Sequence, residues 1–264
     1  MAKEFNLGVI GCDTSHCVAF ARILNDPSNE HHVSGAKITS AFPGGSPDFE
    51  LSISRVEGFV QELREKWGVQ ILDTPEAVAE KSDAILLTSV DGRVHLDQFK
   101  QVAAAGKATF IDKPFALKAE MAREIFRISK EHKIPLFSCS SLRYADGLTT
   151  VLNDSTDGPV FGADFYGPMA IQPTQPGFFW YGIHTVEMLF ASMGQGCREV
   201  LVQTNDNHDI AVGTWNDGRI GSIRGNRAGN NKFGGVVHRE RSSHFVDVYG
   251  SGRPYYASLL EQIL

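Results

Sequence analysis

Between Leu7 and Cys139, short apolar runs alternate six times with segments of helical period. The runs are Leu7 to Gly11, Ala36 to Phe42, Val69 to Leu72, Asp83 to Val90, the Ala108-Thr109-Phe110-Ile111 stretch, and Ile134 to Cys139. Each reads as apolar on both faces, so as a strand it needs cover on both sides. A parallel sheet wrapped by helices supplies that cover. The segments between predict helices: one whose apolar positions are Val18, Ala19, Ala21, Ile23 and Leu24, one carrying Val56, Phe59, Val60, Leu63 and Trp67, a short one opened by Thr74-Pro75, and two longer ones at Val94 to Ala105 and Leu117 to His132. The first half therefore predicts a Rossmann-type α/β domain with a doubly wound parallel sheet.

After Arg143 the pattern changes. Pro, Gly and Asp become dense from Asp154 to Gly177, and beyond Gly196 come alternating segments at Glu199 to Thr204, Ile210 to Trp215, Arg219 to Arg224, Val236 to Arg241 and His244 to Tyr249. Turns such as Asn216-Asp217-Gly218 join them as hairpins. The second half predicts an α+β domain: an open, mainly antiparallel sheet carrying one helix, about Tyr181 to Met193. The domains are drawn as 1–143 and 144–264.

Charge and cysteine usage narrow the function. A formal charge of -6 and a pI near 5.8, with no long basic cluster, argue against a nucleic-acid surface. No apolar run reaches membrane length, and Met1 to Asn6 leads straight into a strand with no apolar leader. The expectation is a cytoplasmic protein acting on a small molecule. Cys12, Cys17, Cys139 and Cys197 show no C-x-x-C spacing, so reduced thiols are expected and no zinc site.

In an open parallel sheet, ligands sit outside the carboxyl ends of the strands. The fifth run ends in Asp112-Lys113-Pro114, a charged pair at such an end, and Lys113 is the first candidate for chemistry.

Together with Ile10-Gly11, Val94-His95, Ala105-Gly106-Lys107 and Gly182-Ile183-His184-Thr185-Val186-Glu187, this motif resembles the glucose-fructose oxidoreductase / inositol dehydrogenase / MocA family, in the right order along nearly the whole chain. The resemblance implies a dinucleotide domain followed by a domain whose open sheet forms the substrate pocket and often a homo-oligomer interface. It implies catalytic roles for Lys113, contacting cofactor and substrate, and for His184 as general acid/base, with a sugar or polyol as substrate. NAD or NADP would lie against Gly11, Asp13, Thr14, Ser15 and His16 of the first turn and against Asp112, Lys113 and Pro114. Relatives generally continue beyond the position of Leu264.

The departures shape the alternatives. Of the G-x-G-x-x-G fingerprint only Gly11 is present, in Gly11-Cys12-Asp13-Thr14-Ser15-His16. Asp13 stands where the pyrophosphate should come nearest; its carboxylate could cap the helix and repel the ligand, by about 4 kcal/mol for unit charges ~4 Å apart at an effective dielectric of ~20. The second strand ends Phe42-Pro43-Gly44-Gly45, with neither an acid for a ribose hydroxyl nor an arginine for a 2'-phosphate. Trp180 replaces the aspartate that many relatives carry one turn before the histidine, and Glu187 lies at i+3 from His184. These positions keep two rivals open: a binding or regulatory protein without a dinucleotide, and redox-neutral acid/base chemistry using Asp13, His16, Lys113 and His184. A mixed metal site of Asp13, His16, His95 and His184 is a weaker reading. Arg224, Arg227, His238, Arg239 and Arg241 would suit a carboxylate or polyol if they face a cleft, and only water if they face out.

Overall fold

The computed structural model describes residues 4–264, so the reading of Met1 to Lys3 lies outside the described residues. The chain divides into two compact units, one running through Cys139 and including Leu260–Leu264, the other Ser140–Leu259. The division falls four residues before the expected one, and the last five residues group with the first unit.

The first unit holds strands β1 (Phe5–Ile10), β2 (Ala36–Phe42), β3 (Gln70–Ile71), β4 (Ala84–Leu87), β5 (Ala108–Ile111) and β6 (Leu136–Phe137). They form one sheet in the order β3-β2-β1-β4-β5-β6, every pair parallel. The order reverses between β1 and β4, which is the switch point of a doubly wound sheet. Helices α1 (Ser15–Asn25), α2 (Glu50–Trp67), α3 (Pro75–Lys81), α4 (His95–Ala103) and α5 (Ala119–Glu131) make the connections. Their boundaries have local causes. Thr74 caps α3 by accepting from Ala77 N–H, with Pro75 at the first position, and Gly68 ends α2 in the left-handed region at φ 65°. Ile10, Ile85, Leu87, Phe99, Ile111 and Ile125 form a core between sheet and helices.

The second unit begins with a 3-10 turn, Ser141–Tyr144, and α6 (Asp146–Asn153), then β7 (Val160–Pro168), α7 (Gly182–Met193), β8 (Cys197–Thr204), β9 (His208–Trp215), β10 (Ile220–Asn226), β11 (Gly234–Arg239) and β12 (Ser243–Asp247); α8 (Tyr255–Ile263) closes the chain. The sheet order is β12-β11-β7-β10-β9-β8, antiparallel throughout except for the parallel β7/β10 pair. α7 lays Met188, Leu189 and Met193 on its inner face against Phe165, Trp215, Ile223 and Val237. Each such side chain contributes up to about 1.5–3 kcal/mol by leaving water. β7 carries no clear signal in the alternation, since Gly158, Pro159, Gly162, Gly167 and Pro168 interrupt it, and the short α6 is not read from the sequence. No helix among the described residues is long and apolar enough to cross a membrane.

Candidate functional site

The carboxyl ends of β1, β4 and β5 gather the candidates of the first unit. Gly11 takes φ +93°, and a side chain there would meet the Ser89 backbone at 2.5 Å, so the first turn lies directly on the β4 exit. Gly11 N–H donates to Phe42 O and Cys12 N–H to Pro43 O. The chain then enters α1, capped by Thr14, whose Oγ1 accepts from His16 N–H.

Asp13 does not cap that helix. Its carboxylate is buried, accepting from Ser52 Oγ at 2.6 Å and Val90 N–H at 2.9 Å. It spans the switch point from the β1 side to the β4 side, which corrects the capping expectation. Burial pushes its pKa up against the lowering effect of Ser52 and Val90. The first turn of α1 holds no acidic residue, and Ser15 is exposed at its first position. The positive end of that helix is therefore not neutralised from within.

His16 and Asp112 bond directly through Nδ1 and Oδ2, and Asp112 Oδ1 accepts Lys113 N–H at 2.7 Å. Burial alone would raise Asp112; the charge and hydrogen bond of His16, then the charge of Lys113, outweigh it and hold the carboxyl low. Lys113, half-buried at the exit of β5 and followed by a cis bond to Pro114, has its ammonium pushed down by burial, with Asp112 opposing and Arg55 assisting. A lysine held this way loses its proton more readily than a solvated one.

His95 belongs to the frame, with Nε2 2.7 Å from Ser89 O and Nδ1 3.2 Å from Phe115 O. Among the described residues no group of three His, Cys, Asp or Glu side chains is placed to hold a metal. A cleft of about 280 Å³ in this unit lies at the other ends of the strands, lined by Phe5, Ala84, Ala108, Pro135 and Leu264, away from Lys113.

In the second unit His184 is buried on the first turn of α7. Its Nδ1 lies 2.6 Å from Ser140 Oγ, and its ring packs edge-on against Phe233 and Tyr181. Glu187, one turn on, meets Arg143 Nη1 at 3.4 Å and takes the Ser140 N–H. Burial raises Glu187, with Arg143 and the Ser140 N–H opposing. Ser140 escaped sequence reasoning, since a serine 44 positions before the histidine leaves no periodic trace. The basic residues bond to neighbouring groups of their own unit: Arg227 pairs with Asp209, Arg239 donates to Gly158 O, Val151 O and Leu152 O, Arg241 to Thr156 O, and His238 bonds Asp164. Arg224 bonds Asn226 two positions along its own strand.

Residues 5–138 match the oxidoreductase family with an NAD-binding Rossmann fold, named for glucose-fructose oxidoreductase, inositol dehydrogenase and MocA. The chain belongs to this family. No curated protein matches its sequence. Among solved structures, myo-inositol 2-dehydrogenase of Lactobacillus plantarum is similar with a TM-score of 0.74 and 18% identity, over 92% of this chain and 76% of that one. The scyllo-inositol dehydrogenase of Lactobacillus casei, solved with NAD(H) and scyllo-inositol, gives 0.71 and 15%, over 92% and 76%. At these identities the likeness speaks for the Gfo/Idh/MocA fold.

Proposed function

We propose that this member of the family is a nicotinamide-dependent dehydrogenase acting on a sugar, polyol or related hydroxy or carbonyl compound. The observation that carries the reading is Lys113: a half-buried lysine with a depressed pKa at the carboxyl end of β5, one strand from the switch point.

The residues present suit a dinucleotide at one decisive place. Because Asp13 turns into Ser52 and Val90, the α1 N-terminus is open to an anion, and Thr14 and Ser15 with the Gly11 turn would hold the pyrophosphate. Asp112, tied to His16, would position Lys113 and Pro114 beside it. The bound cofactor supplies a hydride acceptor or donor. Lys113 is proposed to donate a hydrogen bond to a substrate oxygen and stabilise negative charge there; His184, in the second unit, is proposed as a general acid/base on the resemblance alone.

A second reading is favoured by one observation: the Gly11 and Cys12 amides are spent on Phe42 O and Pro43 O, and residues 11–14 are buried. Under it the chain binds a small molecule without a dinucleotide. Calorimetric titration with NAD(H) and NADP(H) at low salt separates the two. Micromolar binding of either is expected, and on a substrate found by screening Lys113→Ala and His184→Ala each lower turnover at least about tenfold. Absence of binding by folded protein rejects the dehydrogenase reading.

The outer face of the second sheet is proposed as a self-association surface. The registers align Phe245, Val236, Asp164, Ser222, Val212 and Leu201 in one row across it, with Phe245 62% and Leu201 69% exposed at its two ends.

A further inference from the structure

In the order β3-β2-β1-β4-β5-β6, strand β1 stands between β2 and β4. A segment that leaves β2 and bonds to the chain beyond β4 must therefore pass over the end of β1. Residues 43–49, between β2 and α2, do this. Phe42 O takes the Gly11 N–H at 3.0 Å and Pro43 O the Cys12 N–H at 2.6 Å, which lays the start of the segment on the first turn. Gly44, at φ +66°, comes so close that a Cβ there would lie 3.1 Å from Gly11 Cα. Only glycine takes that left-handed conformation without strain. The Pro43-Gly44-Gly45 stretch that interrupts the pattern after β2 is thus what lets the chain fold over the turn.

Two contacts fasten the segment to the loop between β4 and α4. Ser46 Oγ donates to Asp91 Oδ2 at 2.7 Å, both residues being buried. Asp48 is held by Arg93, whose Nη1 and Nη2 each donate to one of its carboxylate oxygens at 2.7 Å. Arg93 is anchored in turn, since Nε and Nη2 also donate to Asp91, at 2.7 to 3.0 Å. A guanidinium forked onto a carboxylate is the strong, geometrically specific form of ion pair. At the α2 end, Ser52 Oγ accepts the Ser46 N–H at 2.8 Å and donates to Asp13. Residues 11–14 of the turn are buried, and Ser15 just beyond them is exposed.

We propose that residues 43–49 form a strap closing the first turn at the switch point, latched by Asp48 on Arg93 and by Ser46 on Asp91, and that a dinucleotide enters by displacing it. In a doubly wound sheet the pyrophosphate sits in the crevice beyond the switch point and the adjoining ribose near the end of the second strand, so strap and cofactor compete for one place. The use of the strap as a gate rests on the dehydrogenase reading; the closure of the turn stands without it. Asp48 is the point of release. Its side chain is 66% exposed, and Arg93 keeps its bonds to the buried Asp91 when Asp48 lets go, so opening strands no buried charge. A ligand that binds only the open form has its affinity reduced by the fraction of molecules that are open.

The test is hydrogen exchange of the Gly11 and Cys12 amides, read by NMR on the full chain without cofactor, in the wild type and in Asp48→Ala. Exchange at both amides is expected to be at least about fivefold faster in the variant, with the β5 amides of Phe110 and Ile111 unchanged, because only the strap opens. Unchanged exchange at Gly11 and Cys12 overturns the proposal, and so does an acceleration that extends to β5. Ser46→Ala, lacking the other fastening, is the second variant and is judged by the same two readouts. Calorimetry with NAD(H) and NADP(H) then reads the gate: whichever binds is expected to bind Asp48→Ala at least about fivefold more tightly than the wild type. Equal or weaker binding by the variant overturns the gate. If neither protein binds a dinucleotide while exchange responds as stated, the dehydrogenase reading falls and the latched strap remains.

Discussion

Two charged side chains show how placement decides what a residue can do. Asp13 reads from its position in the first turn as a carboxylate opposed to a phosphate, yet it is spent on Ser52 and Val90. Lys113 reads as a strand-end charge and is held half-buried, its ammonium disfavoured. That has a consequence for stability. With the native pKa below the unfolded value of ~10.4, the native state carries a disfavoured charge near neutrality, and stability rises with pH as the native lysine releases its proton before the unfolded one does. Lys113→Met is therefore expected to melt above the wild type at pH 7, with the difference closing as pH rises toward 10. Thermal melts across this range check it, and a variant less stable at pH 7 would show that Lys113 is net stabilising. Lys113 was legible in the sequence because Lys-Pro follows an apolar run; the Asp13 contacts were not, since nothing local encodes a bond to Val90.

α6 and β7 illustrate elements set by what packs on them. Gly147 sits in the first turn of α6, where glycine is a poor helix former and alanine would gain up to about 1 kcal/mol. A Cβ at that position would lie 1.9 Å from the Asp247 carbonyl oxygen of β12, backbone that cannot swing aside. Overpacking of this kind costs about 1–3 kcal/mol, so the clash outweighs the propensity. Gly147→Ala is expected to lower the denaturation midpoint. An equal or higher midpoint would mean that α6 moves freely on the sheet. β7 pairs with β10 and β11 at the middle of its sheet despite its glycines, because sheet neighbours on both sides supply the hydrogen bonds that a weak strand sequence cannot.

For the molecule in solution, the open sheet face is the feature with the largest consequence. Apolar residues at both ends of its central row flank the polar group of Asp164, Ser222 and His238. The self-association proposed for this face is tested on those two end residues. Sedimentation velocity is expected to show an oligomer for the wild type and a smaller species for the double variant Leu201→Glu, Phe245→Glu. An unchanged sedimentation coefficient in the double variant would remove this face from the interface.

Periodicity records burial, and an apolar pattern in six short runs was enough to predict a doubly wound parallel sheet in the first unit and to mark Lys113 at a strand exit, while the strand order came only with the tertiary structure. Alternation likewise located β9, β10 and much of β11 and β12, and the helical period located α7 with His184 on it. What the amino-acid order could not express is which distant groups share a hydrogen. His16 and Asp112 are 96 positions apart, Asp13 and Val90 77, Ser140 and His184 44. These bonds arise when helices and strands dock, since a directional contact between remote residues leaves no repeating pattern along the chain. The strand that periodicity missed, the carboxylate it misdirected and the serine it passed over were all decided by packing.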